Sequence, residues 1–236
     1  MNTYDYPYDD LIHLCPECRD LMADVVRTVS ALPKPPPEPD WSCALRWLDS
    51  LCGDRGSVLA LDAAALVDDG APVPEAVPAH ERERLESTLA FLDAVAQRYF
   101  DAEVGLALRR ALLIAFDRRP GVVTGARSGA LLALGVIWAV GHANGLLHPV
   151  GSVTDKELRG YLGVTQPGSS AGAKVREAIV GSYRWRSVER PWTYAGYRSR
   201  DLEPLGRVEL LVSGTRAQLI EVRDRALAAQ HADRPP

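Results

Sequence analysis

The sequence predicts an all-α protein with a multi-helix core, a C-terminal helix-turn-helix and a small basic aromatic extension. Alanine and leucine dominate its 236 residues, and aromatic residues make up only 7%, a composition that favours helix over sheet. Successive segments repeat their apolar residues with a period near 3.6, which is the period of an amphipathic helix. No extended alternation of apolar and polar residues, the pattern typical of a strand, occurs before residue 205.

Changes in composition divide the chain into four predicted regions. The first contains an acidic tail, a helix that begins near Cys15 and a linker with five prolines between Pro33 and Pro39. These features occupy residues 1–39, and the helical core domain is expected over residues 40–150, the helix-turn-helix over residues 151–182, and the basic aromatic segment with a C-terminal helix over residues 183–236.

Start and stop signals bracket the predicted helices of the core domain. Asp40 is a candidate N-cap, and Gly53 a stop, for a helix from Trp41 to Cys52. Pro120-Gly121 is expected to break the helix that precedes it. The other helices predicted in this part of the chain are Ser57–Leu66, Ala79–Phe100 and Ala102–Arg118.

A central helix is predicted from Arg127 to Leu147, with Thr124 as its cap. No Asp, Glu, Lys or Arg lies between Arg127 and Asp155, so this helix should be buried on all sides. Its strictly apolar part, Gly129–Gly141, is shorter than the roughly 20 residues that a membrane span needs. We therefore expect a core helix and no membrane partner. The opening residues lack the pattern of a secretory leader, which predicts a cytoplasmic protein.

A helix-turn-helix is predicted directly after the central helix. Thr154 and Glu157 have the spacing of a capping box, which fixes the start of a short helix. Gly163 supplies the residue that a tight turn between two helices needs. A second helix should then run to about Gly181. Its predicted buried face consists of Ala171, Val175, Ala178 and Ile179.

The opposite face of this second helix is polar and is the predicted DNA-reading surface. Gln and Arg side chains can pair with base edges in the major groove, and Ser can bind phosphates or bases. The candidate DNA-binding residues are Thr165, Gln166, Ser169, Ser170, Lys174, Arg176, Arg184 and Arg186. Two short helices with a glycine turn can also serve packing alone. The alternative is therefore a non-enzymatic interaction or adaptor module that binds a protein partner or forms a homodimer.

A short segment after the predicted helix-turn-helix is basic and aromatic. Residues 183–200 contain five Arg and one Glu, interleaved with three Tyr and two Trp. Arg with stacking aromatic faces is typical of nucleic-acid contacts, although a surface wing packed by its aromatics is the alternative. Residues 1–100 have a charge balance of −10 and residues 101–236 one of +6, so a polyanion such as double-stranded DNA should meet the second half. Gly206–Val212 is predicted as a short strand or the approach to a helix from Thr215 to Gln230.

Two motifs resemble those of an uncharacterised bacterial family in which a helical core precedes a helix-turn-helix. The first motif lies at Trp138, Ala139, Val140, Gly141, Asn144 and Leu146, and the second at Leu162, Gly163, Val164, Thr165 and Gln166. The resemblance covers about 45 residues and implies the fold more than an activity, because DNA binding in that family is inferred from the helix-turn-helix alone. Here Pro167-Gly168-Ser169 resembles an insertion, which would lengthen the turn.

The cysteines suggest three alternatives: a redox dithiol, half of a zinc site, or structural thiols. A redox Cys-x-x-Cys pair normally follows a βαβ pattern, and none precedes Cys15 and Cys18. Cys43 and Cys52 would complete a zinc site, but their spacing places them on opposite faces of one predicted helix. We therefore expect structural thiols, with no metal and no cofactor. No set of catalytic residues is recognisable, so the protein is not expected to be an enzyme.

Overall fold

The computed structural model describes residues 20–21, 23–25, 38–68, 70, 77–181 and 202–233. The chain separates into two compact units, Met1–Glu38 and Pro39–Pro236. In the first unit, the described residues from Asp20 to Val25 are helical and exposed. The predicted start of this helix at Cys15 and most of the proline-rich linker lie outside the described residues.

The second unit is built from helices alone wherever the structure describes it, which confirms the predicted all-α class. A 3-10 helix, Val208–Leu210, precedes its last α-helix. The α-helices are α1 (Asp40–Cys52), α2 (Arg55–Leu59), α3 (Ala79–Tyr99), α4 (Ala102–Arg118), α5 (Pro120–Thr124), α6 (Gly129–Ala143), α7 (Asp155–Leu162), α8 (Gly168–Val180) and α9 (Ser213–Ala232). Among the described residues, no helix combines the length and the apolar character needed to cross a membrane.

The helix predicted at Ser57–Leu66 is wrong in its extent. Asp54 caps α2 by accepting a hydrogen bond from the Ser57 amide at 2.7 Å, but the helix ends at Leu59. The helix does not continue to Leu66, because a carboxylate that is distant in the sequence binds the backbone amide of Leu66. Glu103 on α4 accepts the Leu66 amide at 2.9 Å and also the Ser213 amide at 2.8 Å. This one side chain therefore joins the loop, α4 and the start of α9.

The central helix α6 is buried on nearly all sides, as the sequence predicts, but it begins later than predicted. Ser128 caps it by accepting the Leu131 amide at 3.1 Å. Thr124 instead ends α5, a short helix that Pro120 opens, whereas the preceding helix α4 ends at Arg118 as predicted. Proline suits the first turn of a helix because the amide it lacks has no partner there.

Asn144 ends α6 and ties it to the approach to α9. Its side-chain amide donates to the carbonyls of Val140 at 3.0 Å and Leu210 at 2.9 Å. Its side-chain oxygen accepts the Val212 amide at 2.8 Å. Asn144 is 6% exposed, so these bonds satisfy groups that water cannot reach. They also explain why the segment before α9 forms a 3-10 turn and not the alternative strand.

Two apolar clusters make up the core of the second unit. The larger cluster draws its buried residues mainly from α3, α4, α6, α7 and α8, with α6 at its centre. The smaller cluster lies between α1, α2 and α9 and includes Leu48, Leu51 and Leu219. Since α8 contributes Val175, Ala178 and Ile179 to the larger cluster, the predicted reading helix is part of the main core.

Candidate nucleic-acid interface

The corner between α7 and α8 has the local geometry that the sequence predicts. The Thr154 hydroxyl accepts the Glu157 amide at 3.2 Å, and the Glu157 carboxylate accepts the Thr154 amide at 2.9 Å, so the capping box is confirmed. The Thr154 amide and the Thr154 hydroxyl both donate to the Glu157 carboxylate, and these two hydrogen bonds lower the pKa of this exposed carboxyl. Gly163 ends α7 with φ of 67° and ψ of 29°, the left-handed region that glycine adopts without strain.

Asp155 fixes the position of α8 relative to α7. One oxygen of its carboxylate accepts the Gly168 amide, at the first residue of α8, at 3.0 Å. The other oxygen accepts Nε of Arg159 at 2.7 Å, and Arg159 also donates to the Thr165 carbonyl at 3.2 Å. Pro167 directly precedes α8, and Gly168 and Ser169 are its first residues. Two side chains of α7 therefore hold the corner through backbone groups at Thr165 and Gly168.

The packing of α8 against α6 depends on glycines that sequence analysis did not select. A Cβ added to Gly172 would lie 2.3 Å from Cε3 of Trp138, and one added to Gly135 would lie 2.9 Å from Cβ of Ala171. The two helices therefore approach each other more closely than larger side chains would allow. The signal was present in the sequence, because Gly168 and Gly172 are four residues apart and lie on one helix face.

Arg176 is not on the exposed face of α8, contrary to the prediction. It is only 3% exposed and forms a salt bridge with Glu203. The predicted Val175, Ala178 and Ile179 are buried, whereas Ala171 is half-buried, and the buried face extends further than predicted, to Gly168, Gly172 and Arg176. At roughly 100° per residue, Arg176 lies at the edge of this wider buried arc, where it meets Glu203.

The other predicted reading residues within the described part of the chain are exposed. Ser169, Ser170 and Lys174 lie on the outer face of α8, and Thr165 and Gln166 occupy the turn before it. Exposed hydroxyl, amide and ammonium groups on a helix can donate hydrogen bonds to phosphates and base edges. Arg184 and Arg186 lie outside the described residues.

A groove of about 660 Å³ adjoins this face, between α5, the start of α6 and α8. We call it the basic groove because Arg119, Arg127 and Lys174 line it. Arg119 forms a salt bridge with Glu177 at 2.9 Å. Arg127 and Lys174 are exposed and have no ion-pair partner among the residues that the structure describes. The groove therefore has a net positive charge.

His142 lies near the end of α6, the helix against which α8 packs. Its ring centroid is 4.5 Å from that of Trp138. Partial burial is the main cause that lowers the pKa of His142, and the positive charge of Arg176 lowers it further, whereas Asp155 opposes the shift. The imidazole is therefore neutral at neutral pH.

The cysteines of the second unit are not arranged as a reactive or metal-binding site. Cys43 is half-buried and Cys52 is buried, and neither is in a disulfide bond. Burial, with the carboxylates of Asp49 and Asp54, raises the pKa of Cys52 to about 12, which keeps it protonated. The described residues contain no group of three or more metal-ligating side chains. Cys15 and Cys18 lie outside them.

Comparison with known proteins gives no relative for this chain, because no family model, no curated protein and no solved structure matches it.

Proposed function

We propose that the protein binds double-stranded DNA through a helix-turn-helix formed by α7 and α8 and acts as a regulator-like protein. The observation that carries this proposal is the division of α8 into a packed face and a polar, exposed face. A reading helix needs both, because one face must be held rigidly while the other enters the major groove. The corner between the helices is correspondingly rigid, through Thr154, Asp155 and Arg159.

The distribution of charge supports the same proposal. Lys174 and Arg127, which have no ion-pair partner in the part of the chain that the structure describes, add positive charge beside the reading face, and the sequence that follows α8 contains five Arg between residues 183 and 200. Basic side chains bind the phosphates of DNA and supply affinity that does not depend on sequence. Base discrimination is assigned to Gln166, Ser169 and Ser170, since Arg176 is buried; a Gln can pair with adenine through two hydrogen bonds.

The test is fluorescence anisotropy of the full-length protein with mixed-sequence duplex DNA across a salt series. We expect affinity to fall linearly with salt on a log–log plot, with each phosphate contact contributing about −0.9 to the slope. Lys174→Ala should reduce the magnitude of that slope by about 0.9, which is the contribution of one phosphate contact. Lys156→Ala on α7 is the matched control, because Lys156 is also exposed but lies outside the reading face. No binding at low salt, or equal effects of the two substitutions, would contradict the proposal.

An aromatic pair on the surface favours a second candidate, the helical interaction module. Tyr161 on α7 is 47% exposed, and Tyr99 on α3 is half-buried. The short helix is already anchored by Leu158 and Leu162, and the Tyr161 ring packs edge-on against Tyr99, with centroids 5.6 Å apart. Arg98 lies 5.9 Å from the centre of the Tyr99 ring. Exposed Tyr and Arg are common anchors of protein interfaces.

Light scattering separates the two candidates. If these aromatics form a dimer interface, the wild type should dissociate on dilution and Tyr161→Ser should be monomeric at concentrations where the wild type is not. A monomeric wild type that is captured by no protein partner would remove this second candidate.

A further inference from the structure

The basic groove has two features that a DNA contact alone does not require. Its volume of about 660 Å³ is within the range of small-molecule sites, which is roughly 300–1,000 Å³. Its lining also includes apolar side chains, among them Val122, Leu131 and Leu132. A phosphodiester backbone has no apolar body that would cover such a surface. A small organic ligand would cover it and would remove it from water.

The charges in the groove determine which class of ligand fits. Arg127 and Lys174 are the exposed lining cations with no ion-pair partner among the described residues, and they come from two different parts of the chain, the bend before α6 and the helix α8. The carboxylate of Glu177 is already matched by Arg119 at 2.9 Å. An anionic group on the ligand would therefore meet two uncompensated positive charges above an apolar surface.

We propose that the basic groove binds a small apolar organic acid, with its apolar body on Val122, Leu131 and Leu132 and its acid group between Arg127 and Lys174. Gln166, Ser170 and Lys174 belong both to this groove and to the reading face. Occupation of the groove therefore competes with DNA, a consequence that rests on the proposed function. The binding of the acid itself does not depend on DNA.

The probe for the first experiment is 8-anilinonaphthalene-1-sulfonate, an apolar acid whose fluorescence rises in an apolar site. N-phenyl-1-naphthylamine, which has similar rings and no acid group, is the neutral comparison. Titration into the full-length protein should show the sulfonate binding at least about tenfold more tightly than the neutral compound, the effect of one or two charge-assisted contacts. Arg127→Gln and Lys174→Gln should each weaken the sulfonate about tenfold, whereas Lys156→Gln should not. Equal affinity of the two compounds would overturn the proposal.

A pair of glycine substitutions tests the location of the bound acid. Gly121 lines the groove, and a Cβ added there meets no heavy atom within 4 Å, so a side chain can leave the backbone there without a clash, and Gly121→Leu is expected to occupy part of the groove. Gly160→Leu on α7 is the matched control, because Gly160 is also open but does not line the groove. We expect sulfonate binding to be lost in Gly121→Leu and unchanged in Gly160→Leu. Unchanged binding in both variants, for example to the Arg-rich segment instead, would contradict the proposed site.

Only the last experiment uses DNA, so the proposal of acid binding and the proposal of DNA binding can be contradicted independently. In the wild type, the sulfonate should displace fluorescein-labelled duplex DNA, and Gly121→Leu should abolish that displacement. Sulfonate binding without any DNA binding would leave the groove in place and remove the DNA proposal. DNA binding that the sulfonate does not disturb would overturn the competition between them.

Discussion

Lys174 and Arg176 stand two residues apart on α8, yet the two faces of this helix place them in different environments. Lys174 is exposed beside the basic groove, and Arg176 is 3% exposed against Glu203. Sequence analysis treats both as cations of one reading surface. Their positions show that the rotation of a helix about its axis decides whether a cation can meet a ligand. Gly172 lies on the packed face of this helix, where an added Cβ would clash with Trp138 of α6.

The two faces should therefore respond differently to substitution. Changes on the packed face alter the free energy of unfolding and affect DNA only through the loss of structure. Changes on the exposed face alter binding and leave the free energy of unfolding within about 0.5 kcal/mol of the wild type. The comparison can be tested by measuring both quantities on the same set of variants.

Arg176→Ala should have the largest effect on stability. It removes one partner of a nearly buried ion pair and leaves the Glu203 carboxylate without that counter-charge, a change that typically costs about 3–5 kcal/mol. Urea denaturation measures the free energy of unfolding. The double variant Arg176→Met with Glu203→Leu should recover most of the loss, because no charge is then left behind. A stable Arg176→Ala that binds DNA more weakly would restore Arg176 to the reading surface.

Gly172→Val should have the next largest effect. A Cβ at this position would lie 2.3 Å from Cε3 of Trp138, which is closer than van der Waals contact, so α8 would have to move away from α6. Overpacking of this kind costs about 1–3 kcal/mol. Ala173→Val, at the exposed neighbouring position, provides the control and should cost less than about 1 kcal/mol, the difference in helix propensity. Equal losses in the two variants would show that close contact between the helices is not what positions α8.

Asp155→Ala should have a smaller effect on stability and a measurable one on binding. The substitution removes the acceptors for the Gly168 amide and for Nε of Arg159, at a cost of about 1–2 kcal/mol. The start of α8 would then be less firmly fixed, so DNA affinity should also fall, although Asp155 itself carries the wrong charge for a phosphate contact. Glu157→Ala weakens α7 alone and is the control. Stronger DNA binding by Asp155→Ala would mean that its charge matters more than its role as an anchor.

The features that could be predicted from the sequence are those determined by neighbours along the chain. The capping box at Thr154 and the left-handed turn at Gly163 each depend on a few adjacent residues, and both are confirmed. The absence of charge in the central helix correctly predicts its burial. Partners far apart in the sequence could not be predicted in this way. Glu203 reaches Arg176 from beyond the end of α8.

Competition for backbone groups explains the remaining errors. Leu66 would extend α2 by local propensity, but its amide is bound by Glu103 on another helix. The segment near Leu210 could form a strand by its pattern, but Asn144 accepts and donates hydrogen bonds there. Sequence analysis uses glycines as turn signals and therefore does not assign Gly168 and Gly172 to a packed face. Glycines that are four residues apart lie on one face of a helix, as leucines do at the same spacing.

The smallest expected effect concerns His142, which lies behind the packed face of α8. Burial, and then the charge of Arg176, lowers the pKa of His142 below its ordinary 6.5 in the folded protein. The unfolded chain then binds more protons, so the stabilising contribution is complete above the unfolded pKa and is lost as pH falls towards the folded one. His142→Gln should therefore flatten the fall in unfolding free energy between about pH 8 and pH 5, since the other histidines cancel in the comparison. Parallel pH curves for the two proteins would mean that neither burial nor the charge of Arg176 lowers the pKa of His142.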